Sequence, residues 1–540
     1  MKIDKLIIKN YKIFSNVSIC MNNDVNIFVG ENDSGKTTIL EALSLVLTGK
    51  VNGFNINSIL NIDLFNADAR KEFKEHIEQN KACEPPAIVI EAYFSDPEDD
   101  DVDTKRYRGT NNSLHEDVCG VKVEICFDEQ YSAAYKELLN NGQVKDVPIE
   151  YYKVIFSSFA ITEFYVSKIS KAVTVIDTNK RDYSPYVSRF VSGAINEYLS
   201  DKDIVELRQA YRSNRDSFCC NNVVKEFNKK LEDNHGFDSR KISLNLREYA
   251  LDDWKREMSV LVDEIPLENL GLGTQNMFKT EIFLGLNENL EILLMEEPEN
   301  NLSYTNMNKL ISKLHNCVSE ISKKQIFLST HSSFVANRLG LGKLHLVSNG
   351  QVKPFSDLSK DTYEYFMKLP GYNTLRVLLA EKVILVEGPA DEMILQRAYR
   401  DKYNSQPIDN GVDIVSIGGV SFERYCELAK IINKKIVVVT DNDGDVDGVN
   451  EKYSKFANLV TLCVEKDNDL NTLEPSVLNA NKRNIEQFRN IVCLKGGYES
   501  EESLLKFMSK NKTKWSLRVF KSDIKIEYPA YILKAISVYD

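Results

Sequence analysis

Val25-Asn26-Ile27-Phe28-Val29 runs straight into Gly30-Glu31-Asn32-Asp33-Ser34-Gly35-Lys36-Thr37-Thr38, and this junction decides the fold of the N-terminal half. The first five residues read as a buried strand. The G-x-x-x-x-G-K-T spacing then fits residue for residue, and Ile39, Leu40, Ala42 and Leu43 open an apolar helix. In such a loop the backbone amides turn inward around phosphate oxygens, and the helix N-terminus adds a favourable dipole. Gly30, Asn32, Ser34, Gly35, Lys36, Thr37 and Thr38 are therefore expected around the triphosphate of ATP. Lys36 would neutralise its β- and γ-phosphates, and the Thr37 hydroxyl would ligate Mg²⁺.

Working outward, three further segments suit the same site. Leu290 to Met295 is an apolar strand ending in Glu296-Glu297-Pro298-Glu299. Glu296 would lie in the outer coordination sphere of Mg²⁺, and Glu297 would polarise the attacking water. Gln325 to Ser329 is another apolar strand, ending in Thr330-His331-Ser332, where His331 could sense the γ-phosphate. Gly271-Leu272-Gly273-Thr274-Gln275 opens a helix over 277–285, and a glycine-rich helix start is an anion site.

In this order the segments resemble an ATP-binding-cassette ATPase of the SMC and RecF type. In that group the glycine-rich signature completes the ATP site of a second subunit. The resemblance thus implies a homodimer or higher homo-oligomer, with Gly273 at the nucleotide. Two departures stand out: the signature is not serine-rich, and Asn301-Leu302-Ser303 replaces the usual Leu-His-Pro. Nucleotide binding follows more directly from these residues than rapid turnover does.

The C-terminal half carries a different pattern. Lys382 to Val386 reads as a buried strand ending in Glu387-Gly388-Pro389-Ala390-Asp391, with a helix from about Glu392. A second strand covers 412–417, and a third, Ile436 to Val439, ends in Thr440-Asp441-Asn442-Asp443. Strands alternating with helices give a parallel sheet, with the carboxylates gathered at the strand C-termini. Glu387, Asp391, Asp441 and Asp443 could there hold one or two Mg²⁺ or Mn²⁺ ions, hard cations that prefer oxygen ligands. Two such ions about 4 Å apart would serve a phosphodiester hydrolysis.

This pattern resembles the TOPRIM domain of topoisomerases, primases and related nucleases. Placed after an SMC-like ATPase, it is similar to the OLD (overcoming lysogenization defect) family, which includes the Gabija nuclease and retron-associated effectors. The resemblance implies a DNA endonuclease or nickase, usually bacterial and often in phage defence, with a helicase or a retron reverse transcriptase and its RNA–DNA as a partner. It also implies two more residues. Glu474, in Thr472-Leu473-Glu474-Pro475, matches a further metal ligand. Lys512 matches a basic catalytic residue, with Lys514 as the alternate. A non-nucleolytic repair ATPase and an RNA-cleaving toxin are the competing readings.

Composition bounds the rest. At 540 residues, 43% apolar and 27% charged, the chain expects two or three globular domains. The net charge of −12 argues against a surface coated for DNA, and the lysines from Lys506 to Lys525 read as a solvated helix face. Ten scattered cysteines without C-x-x-C spacing suit reduced, cytoplasmic thiols. No apolar run is long enough to span a bilayer.

The expected fold class is α/β: an ABC-type ATPase domain with a helical dimerisation insertion, then a TOPRIM domain with a parallel sheet. The expected boundaries are ATPase at 1–180 and 261–370, insertion at 181–260 and TOPRIM at 378–540. The β-rich runs at 86–130 and 147–180 are expected to extend the ATPase sheet.

Overall fold

The computed structural model describes residues 1–79, 84–96, 102–160, 169, 172–177, 199–233, 244, 260–286, 291–317, 324–368, 372–418, 421–493, 498 and 500–540. The principal strands of the first half are β1 (Ile3–Tyr11), β2 (Phe14–Cys20), β3 (Val25–Val29), β4 (Ile88–Phe94), β5 (Val118–Phe127), β6 (Tyr152–Ser158) and β7 (Val173–Asp177). After them come β8 (Ile292–Glu296), β9 (Gln325–Ser329), β10 (Leu344–Ser348) and β11 (Gln351–Pro354). The C-terminal sheet comprises β12 (Lys382–Val386), β13 (Val412–Ser416), β14 (Ile436–Val439) and β15 (Val460–Cys463).

Two sheets build the ATPase half. One has the order β7-β8-β9-β3-β10-β11 and is parallel except for the β10–β11 hairpin. The other is antiparallel and sets β1 between β2 and β4, with β5 beyond β4 and β6 on β5. The expectation that 86–130 and 147–180 extend the ATPase sheet is corrected accordingly. Only β7 joins the parallel sheet; β4, β5 and β6 form the antiparallel one. Helix α1 (Lys36–Thr48) lies between the two sheets, buried along Ile39, Leu40, Leu43, Val46 and Leu47. A helix apolar nearly all round belongs in such a sandwich.

Side-chain alternation on the parallel strands explains how the domains join. Phe28, Leu294 and Phe327 face α1 and the antiparallel sheet, whereas Ile27, Leu293, Met295 and Leu328 face the other way. That second face shares one apolar cluster with Val383, Leu385, Val415 and Val438 of the C-terminal sheet. The C-terminal sheet is wholly parallel, in the order β13-β12-β14-β15. Its opposite face packs Ile384, Val386, Val437 and Val439 against a third cluster. Strands buried on both faces read as continuous Val/Ile/Leu runs, as these do.

Between the ATPase segments, α2 (Asp201–Cys219) and α3 (Asn222–Asp233) supply the helical insertion. Much of the expected insertion at 181–260 lies outside the described residues. The glycine-rich segment enters α4 (Leu272–Leu286) earlier than expected, so Gly273 is helical. The remaining helices used below are α5 (Ser333–Leu339), α6 (Tyr372–Leu379), α7 (Pro389–Tyr403), α8 (Phe422–Ile431), α9 (Leu473–Ala480) and α10 (Lys512–Lys521). Among the described residues no helix is long and apolar enough to cross a membrane.

Candidate functional site

The register of the parallel sheet gathers the nucleotide motifs. Glu296 pairs with Ser329, and Ser329 with Phe28, so three strand ends open on one edge. The phosphate loop leaves that edge through Gly30. A Cβ there would stand 2.1 Å from the Val347 carbonyl oxygen, so only glycine fits. Gly35 has φ +107°, and a side chain would press on Ile13 and Phe14 at 2.8 Å. Gly30 thus answers to close backbone approach and Gly35 to a left-handed conformation under packed side chains, both of which shape a phosphate cradle.

Lys36 is 5% exposed. Its Nζ folds back to donate to the carbonyls of Gly30 at 3.0 Å and Glu31 at 2.6 Å. Burial lowers its pKa, and the nearby carboxylates of Glu297, Asp33 and Glu31 oppose that. The Ser34 hydroxyl is buried in the same loop without a hydrogen-bond partner. A lysine held on its own loop and an orphaned hydroxyl both fit a triphosphate that would take their place. Thr37 is exposed at the start of α1 and Thr38 partly so, while Asn32 stands exposed in the loop.

The second and third strand ends are locked together. Glu297 takes a left-handed conformation (φ +41°), a strained choice for a non-glycine residue. Its amide donates to the Ser329 carbonyl at 3.0 Å, and its Oε2 accepts from Asn300 Nδ2 at 2.5 Å. His331 Nε2 stands 3.3 Å from Glu297 Oε1. Burial, and then Lys36, lowers the pKa of His331, while Glu297 and Glu299 oppose that. Lys36, Glu297 and His331 thus converge as expected, and Glu296 ends β8 beside them.

Sequence reasoning missed Glu299. Its Oε1 accepts from the Thr330 hydroxyl (2.6 Å) and from the amides of His331 (2.9 Å) and Ser332 (3.1 Å), fixing the loop that carries His331. Its Oε2 is buried without a partner. Gly273 has a local duty as well: a Cβ there would meet the Asn301 carbonyl oxygen at 1.9 Å. The absence of a side chain seats α4 on the loop after Glu299.

At the C-terminal edge of the second parallel sheet, Glu387 follows β12. Its Oε1 accepts from the Thr440 hydroxyl at 2.7 Å and from the Asp441 amide at 3.0 Å, so the turn after β14 is tied to the end of β12. Asp391 caps its own helix α7, accepting from the Gly388 amide at 3.1 Å. Burial, then Glu387, pushes the Asp391 carboxyl up to about 7. Asp441 is pushed up to about 8, by burial first and then by Glu387, Asp391 and Glu474, with Lys512 opposing. Like charges crowded in a half-dry site disfavour ionisation in just this way.

Glu474, in the first turn of α9, is 1% exposed. Its Oε2 accepts from the Thr472 hydroxyl at 3.1 Å and faces Lys512 Nζ at 3.6 Å. Its Oε1 is buried without a partner. Between the two lysine candidates, Lys512 is the one that reaches the carboxylates; Lys514 is exposed on α10. Asn442 is 1% exposed and pins the turn, donating to the carbonyls of Glu465 (3.0 Å) and Asp467 (2.9 Å). Thr440, Asn442, Thr472 and the nearby Tyr531 phenol were not singled out in the sequence.

The five-ligand set expected from the sequence needs correction. Glu387, Asp391, Asp441 and Glu474 share one electrostatic field, but Asp443 is exposed at a left-handed turn (φ +49°). Among the described residues no group of three or more His, Cys, Asp or Glu side chains is arranged to hold a metal ion as it stands. The reason is local. Glu387 and Asp391 spend lone pairs on neighbouring donors of the protein. The chemistry nevertheless fits a hard divalent cation: four oxygen-donor side chains converge, and Glu474 Oε1 has nothing else to bind.

A phosphate-loop ATPase core packed on a parallel sheet that carries a TOPRIM-like carboxylate centre at its edge defines the class of this chain. The chain belongs to the AAA ATPase domain family, which matches residues 1–336. Residues 378–443 match the TOPRIM domain of overcoming lysogenization defect protein-like proteins. The two domains imply use of a nucleotide and a divalent metal. The chain is 23% identical to Endonuclease GajA of Bacillus cereus (strain VD045) over 486 residues, covering 82% of this chain and 75% of that protein. Among solved structures, the SMC head domain from Thermotoga maritima aligns at 14% identity over 66% of this chain and 99% of its own, with a TM-score of 0.29. The C-terminal region of the Xanthomonas campestris pv. campestris OLD protein aligns at 18% identity over 29% of this chain and 92% of its own, with a TM-score of 0.24.

Proposed function

We propose that the chain is an ATP-regulated DNA endonuclease or nickase that uses Mg²⁺ or Mn²⁺ and acts in bacterial defence against phage. The observation that carries this reading is the convergence of Glu387, Asp391, Asp441, Glu474 and Lys512 in a molecule that also holds Lys36, Glu297 and His331 at a phosphate loop. The likeness to Endonuclease GajA supports it. A homodimer, with Gly273 of one subunit facing the nucleotide of the other, is part of the same reading. So is a helicase or reverse-transcriptase partner, and so is a cytoplasmic location.

At the nucleotide, Lys36 would leave the carbonyls of Gly30 and Glu31 for the β- and γ-phosphates, with Thr37 and Glu296 serving Mg²⁺. Glu297, oriented by Asn300, would take the proton of the attacking water, while neutral His331 donates from the γ-phosphate side. At the nuclease centre, a divalent ion held by Glu387, Asp391, Asp441 and Glu474, with Asp443 at the rim, would polarise the phosphodiester. The chain's own part is to hold Glu387 through the Thr440 hydroxyl and the Asp441 amide. Lys512 would set a cation against the charge that develops on the phosphoryl oxygens.

The test is nicking of supercoiled plasmid in Mg²⁺ or Mn²⁺, with and without ATP, beside an RNA substrate. Metal-dependent nicking that disappears in Asp441→Asn is expected. Cleavage of RNA alone would favour the toxin reading. ATP hydrolysis with no cleavage of either substrate would leave a DNA-remodelling ATPase as the better account.

A further inference from the structure

Lys434 lies in the turn between α8 and β14, and its side chain is almost fully buried, 8% exposed. A buried lysine needs partners, and this one has two. Its Nζ donates to the Ala380 carbonyl, two residues before β12, and stands 2.6 Å from Glu31 Oε1. Glu31 belongs to the other domain: it is the first variable residue of the phosphate loop, 403 positions away in sequence. The cation therefore joins three things: the base of the strand that delivers Glu387, the base of the strand that delivers Asp441, and the phosphate loop.

Glu31 is held at both ends. Its carbonyl accepts from Lys36 and its carboxylate from Lys434. When a triphosphate draws Lys36 away, the Glu31 peptide loses one of its two anchors, and its carboxylate faces newly arrived negative charge. Among the described residues, Lys434 is then the cation in contact with that carboxylate. The same boundary carries a shared apolar cluster and a cleft of about 330 Å³ lined by His331, Arg376, Glu381 and Asp413. From Lys434 to Asp441 the chain passes through strand β14, a stiff four-residue element about 13 Å long. Packed interfaces of this kind shift between discrete arrangements rather than deforming continuously.

We propose that Lys434 is a positioning residue for the nucleotide site supplied by the TOPRIM domain, and that the Glu31–Lys434 pair carries occupation of the phosphate loop to the strands bearing Glu387 and Asp441. The second half of this inference rests on the nucleotide-regulated nuclease reading above; the first half does not.

The test uses the full chain. Binding of a fluorescent ATP analogue with Mg²⁺ should weaken about fivefold or more in Lys434→Met, because the Glu31 carboxylate is left uncompensated. Lys434→Arg should retain affinity. Adding Glu31→Gln to Lys434→Met should restore it, which a misfolded protein could not show. In parallel, the ratio of plasmid nicking with ATP to nicking without it should differ from one in the wild type and move to one in Lys434→Met. If the variant binds ATP as the wild type does and keeps the wild-type ratio, the link is overturned. If the wild type itself nicks equally with and without ATP, the regulated reading falls, and the transmission assigned to Lys434 falls with it.

Discussion

The carboxylate centre should make the metal-free protein less stable as pH rises, and removing one charge should relieve it. Burial and three neighbouring carboxylates push Asp441 up to about 8, and Asp391 stands at about 7. In the unfolded chain both return to about 3.9. Between about pH 4 and pH 8 the folded protein then binds more protons than the unfolded one. Stability must therefore fall through that window and level off above it. The full shift on Asp441 corresponds to about 6 kcal/mol; water reaching the partly exposed residue leaves about 2 kcal/mol realised.

Asp441→Asn removes that burden while keeping size and shape. In EDTA at pH 8.5 the variant should melt about 5 °C above the wild type, if the TOPRIM half unfolds as its own unit. Below about pH 4 the two should melt together, because Asp441 is then protonated in the folded and the unfolded state alike. Added Mn²⁺ should stabilise the wild type by mass action and leave the variant nearly unchanged. The assay is a thermal melt across pH, with and without chelator, followed by plasmid nicking of the same samples. A variant that melts at or below the wild type at pH 8.5 in EDTA would refute the reasoning, since the carboxylates could not then be crowding one another as their positions require.

The other substitutions separate the roles further. Lys36→Ala should weaken ATP binding about a hundredfold by equilibrium titration, because the buried ammonium is the loop's charge-assisted donor. Glu297→Gln should hold ATP affinity within a few-fold while slowing hydrolysis about 10²-fold or more, since the amide is nearly isosteric but a poor base; phosphate release measures it. Lys512→Ala should slow nicking about 10²-fold with metal affinity by calorimetry unchanged or raised, because removing a cation 3.6 Å from Glu474 cannot delete a ligand.

What could be read in the sequence, and what could not, follows from how far each signal extends along the chain. The phosphate loop needs one strand, one turn and one helix, all contiguous, so Gly30, Gly35 and Lys36 were legible together with their chemistry. Glu297, His331, Glu387 and Asp441 were legible because each ends an apolar strand, and parallel strands bring their ends to one edge. The membership of β4, β5 and β6 was not, since a strand's pattern states its own burial and not its neighbours. Asp443 was read from its place after β14, and the spacing does not reveal that it stands exposed at a left-handed turn (φ +49°). Glu299 and Lys434 were passed over for the opposite reason. An acid after a proline and a lysine in Asn433-Lys434-Lys435 both look solvated, and their partners, the His331 loop and Glu31, lie 32 and 403 positions away. Residues that bind a ligand are announced by local motifs, whereas residues that hold those motifs in place are defined by contacts only the fold creates. That is why the connection between the two halves rests on a lysine that no motif marks, and why its removal should change how the sites respond to each other without deleting a member of either.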